Sequence, residues 1–468
     1  MTRDGRLPAA VRRDLLCPCT GRLGLSACHG GADVKPFIYD PPNETMPREE
    51  LEQFQLERLQ STIYRCYRNV QFYGSVMRDL QLTPDDFTTL EDLRRLPFTT
   101  KEHLRNSYPY GMFAVPLREV RRIHSSSGST GVAIVVGYTA NDLDHWTGLV
   151  ARNLAAAGVT DEDVVQIFFG FGLFSGGFGL HQGAERIGAS VLPASTADIH
   201  KQISVMQDFR TTILVGTPSY ARQIAETIAE SDISVQSLSL KGGLFGAEPW
   251  SERTRQIIEE NLVITALDIY GLAELGGPGV AGECPFKCGL HIAEDHFIAE
   301  VIDPETGEVL EAGREGELVL TAIHKEAFPL LRYRTGDITT LHIEPCECGR
   351  THARMSRVYR RTDDMIAIRG VKVFPADIQA EIEDMEGVGS RMQIVLDREG
   401  HEDTIEVQIE LTRPPAGGGL SSLDRQRQAT QDRLGDFLRM PVRVRFVEPS
   451  TLAPLGEKTT MVVDNRNG

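Results

Sequence analysis

The sequence predicts an α/β protein: a large N-terminal domain with mostly parallel sheets plus an antiparallel β unit, and a small α+β C-terminal domain. Three observations carry this. Between about residues 135 and 271 short β-branched runs alternate with helix-length segments, the pattern of a parallel sheet covered on both faces. From 297 to 343 alternating runs are joined by turns containing Pro and Gly, which is antiparallel texture. A chain of 468 residues also exceeds one hydrophobic core, at roughly 150 residues per domain.

In chain order, residues 1–40 carry Arg, Pro, Gly and Cys without periodicity and read as a poorly ordered extension. Leu56, Leu59, Ile63, Cys66 and Val70, spaced by 3, 4, 3 and 4, then fall on one helical stripe. Buried strands are expected at VVQIFF (164–169), ASVLPA (189–194), TTILVG (211–216) and VITALDIYG (263–271), with helices around 177–188, 198–209, 219–230 and 250–261. Ligands of such sheets bind outside the carboxyl ends of the strands. FIAEVIDPETGEVL and GELVLTAI make up the antiparallel unit. A helix after Pro375, strands QIVLD and IEVQIEL, a PPAGGG loop, a helix near 421–438 and strand VRVRFVE complete the chain. The boundary is expected near 361–364, dividing the protein into an extension (1–40), a large domain (41–362) and a small one (363–468). There is no internal repeat.

Composition narrows the function. The net charge of -17 opposes binding to nucleic acid, whose phosphates need clustered Lys and Arg. It leaves room for small polyanions held by backbone N–H groups and a few local cations. No run reaches the length of a membrane span and no apolar leader precedes a small-residue cleavage site, so a cytoplasmic protein is expected. The eight cysteines are clustered, and in a reducing compartment clustering favours metal ligation or inert thiols over disulfides.

Five segments carry candidate chemistry. HSSSGSTGVAIVVGYT (124–139) offers hydroxyls and glycines for a polyphosphate, without the Gly-Lys-Ser/Thr of a Walker loop; an exposed turn fits equally. In YGLAE, Glu274 stands just past an apolar strand, where a carboxylate can hold Mg²⁺ or simply face solvent. In YRTGD, Asp337 follows a Gly turn and suits either ribose hydroxyls or plain turn chemistry. RTDDMIAIRGVKVFP (361–375) reads as a hinge touching nucleotide, or as a charged linker. PLGEKTT (454–460) holds Lys458, which alone is a surface charge.

In this order and spacing the five segments resemble the core motifs of the adenylate-forming superfamily, and most closely the phenylacetate-CoA ligases. FGLFSGGFGLHQGAERIGA, GTPSYA, FGAEPWSE, YGLAELGGPGVAGEC, GLHIAEDHF, KEAFPLLRYRTGDIT and DDMIAIRGVKVFP extend the resemblance over about residues 40–466. It implies the adenylate-forming fold, a reaction using ATP, CoA and Mg²⁺, a small aromatic acid as substrate, and a homodimer. The product would be an acyl-adenylate with release of pyrophosphate, then a thioester with release of AMP. Loading of a carrier protein, or a non-catalytic nucleotide-binding descendant, are the competing readings.

Residue by residue, the resemblance implies that Ser126, Ser127, Gly128, Ser129, Thr130 and Gly131 hold the phosphates. Ala247, Glu248 and Pro249 would line the adenine site with Tyr270 stacking near the base, Asp268, Ile269 and Gly271 would also bind ATP or AMP, and Asp337 would take the ribose hydroxyls with Arg361 close to the nucleotide. Glu274 would bind Mg²⁺, while Thr130, Glu274 and Lys458 would act in catalysis. Asp363 would be the hinge, and Arg369, Gly370 and Val371 would face CoA. Phe169, Phe171, Phe174 and Gly246 would shape the acyl pocket, although aromatic packing at a strand–helix junction explains those rings as well. Two positions depart from the family pattern: Val132 and Ala133 replace Lys-Pro after Gly131, and Ala273 replaces the Ser or Thr before Glu274.

CPFKCGLH and CECGRTH form a separate constellation. Two Cys/His pairs joined by a β segment suit a closed tetrahedral zinc site, as do free thiols without metal. The set expected is Cys284, His291, Cys346 and Cys348, with Cys288 as alternate.

Overall fold

The computed structural model describes residues 37–125, 133–173, 175–368, 371–382, 385, 388–399, 402–411, 420–448, 451–452 and 461–466. Its main feature is one twelve-stranded mixed sheet. On one side Ser190–Leu192, Val164–Ile167, Ile213–Gly216, Gly242–Gly246 and Thr265–Leu272 run parallel in that spatial order. Helices Gly176–Ile187, Ile199–Asp208, Pro218–Glu230 and Glu252–Leu262 connect them, close to the segments expected from sequence. The strands are apolar throughout because both faces are covered: Leu214, Val215, Leu244 and Phe245 are fully buried.

The antiparallel unit is not separate. Thr265–Leu272 pairs with Gly277–Glu283, and the sheet continues through Leu290–Ile292, Arg354–Met355, Tyr333–His342, Glu315–Ala322 and Phe297–Ile302. At the point where direction changes, a Cβ on Gly271 would lie 1.9 Å from the Gly277 carbonyl oxygen, so only glycine allows this strand approach.

Helix Arg48–Asn69 buries Leu59, Ile63 and Cys66, with Val70 buried at its end and Leu56 half-buried. Helix Ala140–Ala156 starts with a reciprocal cap: Asp142 N–H donates to Thr139 Oγ1 and Thr139 N–H to Asp142 Oδ2. The same Asp142 carboxylate accepts from the backbone N–H of Glu326 and of Ala327, tying the helix to the turn after Glu315–Ala322. The chain is anchored from its first described residues, since Arg350 donates to the Phe37 carbonyl and Arg152 to Asp40.

The last hundred residues have their own core of Ile366, Ile368, Ile378, Ile394, Val407, Leu434 and Val444, distinct from the large-sheet clusters. Its sheet orders Arg443–Val447, Glu402–Leu411, Val388–Glu399 and Val462–Asp464, with helices Pro375–Ile382 and Leu420–Leu438 packed on it.

Candidate active site

Because the five neighbouring strands are parallel, their carboxyl ends share one edge. Phe169 and Phe171, Thr217 to Ser219, Ala247 to Pro249, and Tyr270 to Glu274 all leave from it. Fixed backbone N–H groups and strand-end loops at such an edge form the usual ligand crevice.

Ala247 holds φ at +73°, a left-handed conformation costly for a residue with a Cβ, and it is exposed at the edge. Next to it Glu248 accepts from the Ser219 N–H at 2.7 Å, in the first turn of helix Pro218–Glu230. Burial raises the Glu248 carboxyl, while Ser219 pulls it down. Gly246 is required for a different reason: a Cβ there would lie 2.1 Å from the Ile269 carbonyl oxygen.

Tyr270 donates its hydroxyl to Asp337 Oδ2 at 2.5 Å, and Arg361 Nη1 donates to Asp337 Oδ1. Arg361 and Asp337 are register partners on neighbouring strands, and Gly336 at φ +81° turns the backbone between Thr335 and Asp337. Arg361 Nε reaches Asp363 Oδ1 at 2.9 Å, and Lys101 Nζ reaches Asp363 Oδ2 at 2.9 Å. The Asp337 carboxylate is 1% exposed, and burial raises its pKa despite the guanidinium. A buried acceptor fastened on two sides keeps its remaining lone pairs aimed, which suits it to a vicinal pair of hydroxyls.

Glu274 lies in a 3-10 turn directly after Thr265–Leu272 and is buried. Lys325 Nζ stands 3.5 Å from its backbone oxygen and 4.3 Å from the centre of the Tyr138 ring. Burial lowers the Lys325 ammonium to about 8, against the pull of Asp142 and Glu274.

On the opposite side of the sheet's turn, Cys284, His291, Cys346 and Cys348 converge, with one ligand atom of each within 4.8 Å of the others. Cys284 Sγ is 3.7 Å from Cys346 Sγ, and Cys348 Sγ is 3.4 Å from His291 Nε2. The lengths match the edges expected of a tetrahedral zinc site, for which Zn–S of about 2.3 Å implies S···S of about 3.75 Å. Two tight turns present the thiols: Lys287 N–H donates to the Cys284 carbonyl with Lys287 at φ +52°, and Gly349 N–H donates to the Cys346 carbonyl with Gly349 at φ +87°. Cys288 Sγ is turned to the Phe286 carbonyl.

Residues 123–324 match the model for AMP-binding enzymes and residues 370–466 that for the AMP-binding enzyme C-terminal domain. The chain is 47% identical to the phenylacetate-coenzyme A ligase of Thermus thermophilus over 81% of its length and 85% of that protein. Against the enzyme of the same name from Aromatoleum evansii the figures are 42%, 91% and 97%. The chain belongs to the phenylacetate-CoA ligase family. A solved structure of 2-hydroxyisobutyryl-CoA ligase in the postadenylation state, in complex with R3-HIB-AMP, matches with TM-score 0.84 and 26% identity, covering 94% of this chain and 95% of that one. The same ligase with 2-HIB-AMP and CoA in the thioesterification state matches at 0.68 over 94% of each chain.

In this family member the structure brings together Ala247, Glu248, Tyr270, Gly271 and Glu274 at the sheet edge, and Asp337, Arg361 and Asp363 in one hydrogen-bonded chain. Asp268 is turned elsewhere: its carboxylate accepts from Arg357 Nε at 3.1 Å, and Ile269 is buried. Phe169 is buried, and Phe171 meets Phe178 edge-on at 5.5 Å. Ser126, Ser127, Gly128, Ser129, Thr130, Gly131, Phe174, Arg369, Gly370 and Lys458 lie outside the described residues. Both ends of the 126–132 segment are nevertheless held, as Ser125 pairs with Val135 and donates its N–H to the Leu173 carbonyl beside Phe171. Val371, described and exposed, pairs with Ile368. Lys325 and Lys101 had no role in the sequence reading. The signal available for Lys325 was its place in KEAFPLLRYRTGD, which the family resemblance included without assigning the lysine.

Proposed function

We propose that this protein is an ATP-dependent aryl acid:CoA ligase. It activates the acid as an acyl-adenylate with release of pyrophosphate and then forms an acyl-CoA thioester with release of AMP. The observation that carries the reading is the Tyr270–Asp337–Arg361 cluster around a buried carboxylate, set with Glu274 at the carboxyl edge of the parallel strands. It stands in a chain 42–47% identical to enzymes named phenylacetate-coenzyme A ligase.

Asp337 accepts the ribose hydroxyls while Tyr270 and Arg361 hold it in place. Ala247, Glu248 and Pro249 line the adenine, and the 126–131 loop supplies hydroxyl and backbone donors to the leaving pyrophosphate. Glu274 would hold Mg²⁺, which would supply neutralisation of the phosphate charge. Lys458 bridges carboxylate and α-phosphate in the first half-reaction. The chain's part in the chemistry is positioning and preorganised charge, since the acyl phosphate anhydride itself makes the carbonyl electrophilic toward the thiol.

The small domain, from about residue 363, turns about Asp363 between half-reactions, replacing Lys458 with the 369–371 face. The better match to the postadenylation than to the thioesterification state of the 2-hydroxyisobutyryl-CoA ligase supports two such poses. One zinc ion held by Cys284, His291, Cys346 and Cys348 stabilises the antiparallel strands; the two edge lengths support it. A cytoplasmic homodimer completes the reading, the dimer supported by family resemblance alone. Among the described residues no helix is long and apolar enough to cross a membrane.

Pyrophosphate exchange across a panel of arylacetic, arylcarboxylic and fatty acids tests the function, followed by thioester formation with free CoA. Arylacetates or aryl carboxylates are expected to lead. Turnover of palmitate above every aromatic acid overturns the substrate class, and exchange without a CoA thioester overturns the acceptor.

A further inference from the structure

A second cluster of metal-ligating side chains lies apart from the cysteines. His145 sits on helix Ala140–Ala156, His296 in the turn before Phe297–Ile302, and His324 just after Glu315–Ala322. One ligand nitrogen of each lies within 4.8 Å of the others, and the ring centres are 5.5, 5.0 and 4.4 Å apart.

Three ring nitrogens here, one from each residue, His145 Nδ1, His296 Nε2 and His324 Nε2, are buried and make no hydrogen bond. Leaving a buried polar nitrogen unpaired costs about 1–3 kcal/mol, so three within one cluster point to a missing partner. The partner has to accept lone pairs from several directions at once, which a cation does.

The three supporting segments are fixed to each other. Ile323 N–H donates to the His296 carbonyl, and Asp142 on the helix of His145 accepts from the N–H groups of Glu326 and Ala327. Asp295 Oδ2 lies 3.0 Å from His296 Nδ1, and both its oxygens accept from Arg152 at 2.9 Å. A carboxylate behind one nitrogen of a ligating imidazole fixes the ring and strengthens the other nitrogen as a donor.

We propose that His145, His296 and His324 form a second metal site, for one divalent ion of the zinc, cobalt or nickel class. Three neutral imidazoles are a donor set for such borderline ions rather than for Mg²⁺ or Ca²⁺. Metal–nitrogen bonds of about 2.0 Å set an edge of about 3.3 Å, so nitrogens lying within 4.8 Å of one another have to close by at most about 1.5 Å. Three protein ligands leave a fourth position for water or an exogenous carboxylate. The three residues are half-buried, while the nitrogens that face one another are buried.

Cobalt separates this centre from the cysteine one. Untagged full-length protein, stripped by chelator under reducing conditions, is titrated with Co²⁺ and its visible spectrum followed. A thiolate-to-cobalt charge-transfer band reports the cysteine set. The histidine site adds one further equivalent seen only as ligand-field bands. His324→Gln and His145→Asn should each weaken that equivalent at least tenfold and leave the thermal transition and any thiolate band in place, which shows that the variants fold. The site is overturned by a wild-type titration without an equivalent lacking thiolate character, or by persistence of that equivalent at unchanged affinity in both variants.

Discussion

Tyr270 and Asp337 are 67 residues apart in sequence, yet the phenol hydroxyl of one donates to the carboxylate of the other at 2.5 Å. The bond joins the last parallel strand to the antiparallel half of the sheet, and Arg361 completes it from the strand alongside. Tyr270→Phe removes one donor from a buried carboxylate, at a cost of about 1–3 kcal/mol. Lower thermal stability and a raised KM for ATP are expected, with a larger loss of pyrophosphate exchange in Asp337→Asn. An unchanged Tm together with an unchanged KM in Tyr270→Phe is the result that removes this pair from the site.

Lys325 yields a prediction in pH. Its folded pKa, lowered by burial to about 8 from 10.5, makes the native state hold fewer protons than the unfolded chain between those values. Stability from this group therefore rises with pH across the window and is lost as pH falls through about 8. Because Lys325 stands beside the Glu274 turn, its charged ammonium is expected to assist the phosphate charge in the proposed reaction, and catalysis then runs the other way. In free enzyme kcat/KM should fall as pH rises through about 8. Lys325→Met should lower it about 10²-fold at neutral pH and remove both slopes. An alkaline limb that persists in Lys325→Met assigns the titration to another group.

For the cysteine centre, Cys346→Ser should reduce zinc content by elemental analysis and lower the thermal transition, since structural zinc contributes directly to folding. ATP-dependent exchange at a temperature well below the transition should be nearly unchanged. Protein purified without zinc, and with identical melting in the variant, rejects the centre.

Lys458→Ala separates the half-reactions. A preorganised charge at a transferring phosphoryl is worth several kcal/mol, so exchange should fall by about 10²–10³. Thioester formation from a supplied acyl-adenylate should survive. Equal loss of both would mean that Lys458 serves both poses, and the rotation about Asp363 would have to be abandoned.

Periodicity along the chain was enough to predict strands at 164–169 and 211–216, found at 164–167 and 213–216, and the buried stripe of Leu59, Ile63 and Cys66. Side-chain spacing of two or of three to four residues reports which face of a local element meets the core, and that information is local. The order and spacing of the nucleotide motifs, and the Cys-x-Cys turn opposite a Cys and His, were likewise legible because each is held within a few residues. What only the tertiary structure decided depends on register between distant strands. The continuous sheet rests on Gly277–Glu283 pairing with Thr265–Leu272, and the convergence of His291, already preferred over Cys288 from sequence, on the three cysteines rests on where the Leu290–Ile292 strand points one side chain. Asp268 went to Arg357, Lys325 came to the carbonyl of Glu274, and three histidines from separate elements met. A charged or ligating side chain takes its chemistry from whatever surrounds it, and those neighbours lie tens to hundreds of residues away along the chain, where no spacing rule reaches.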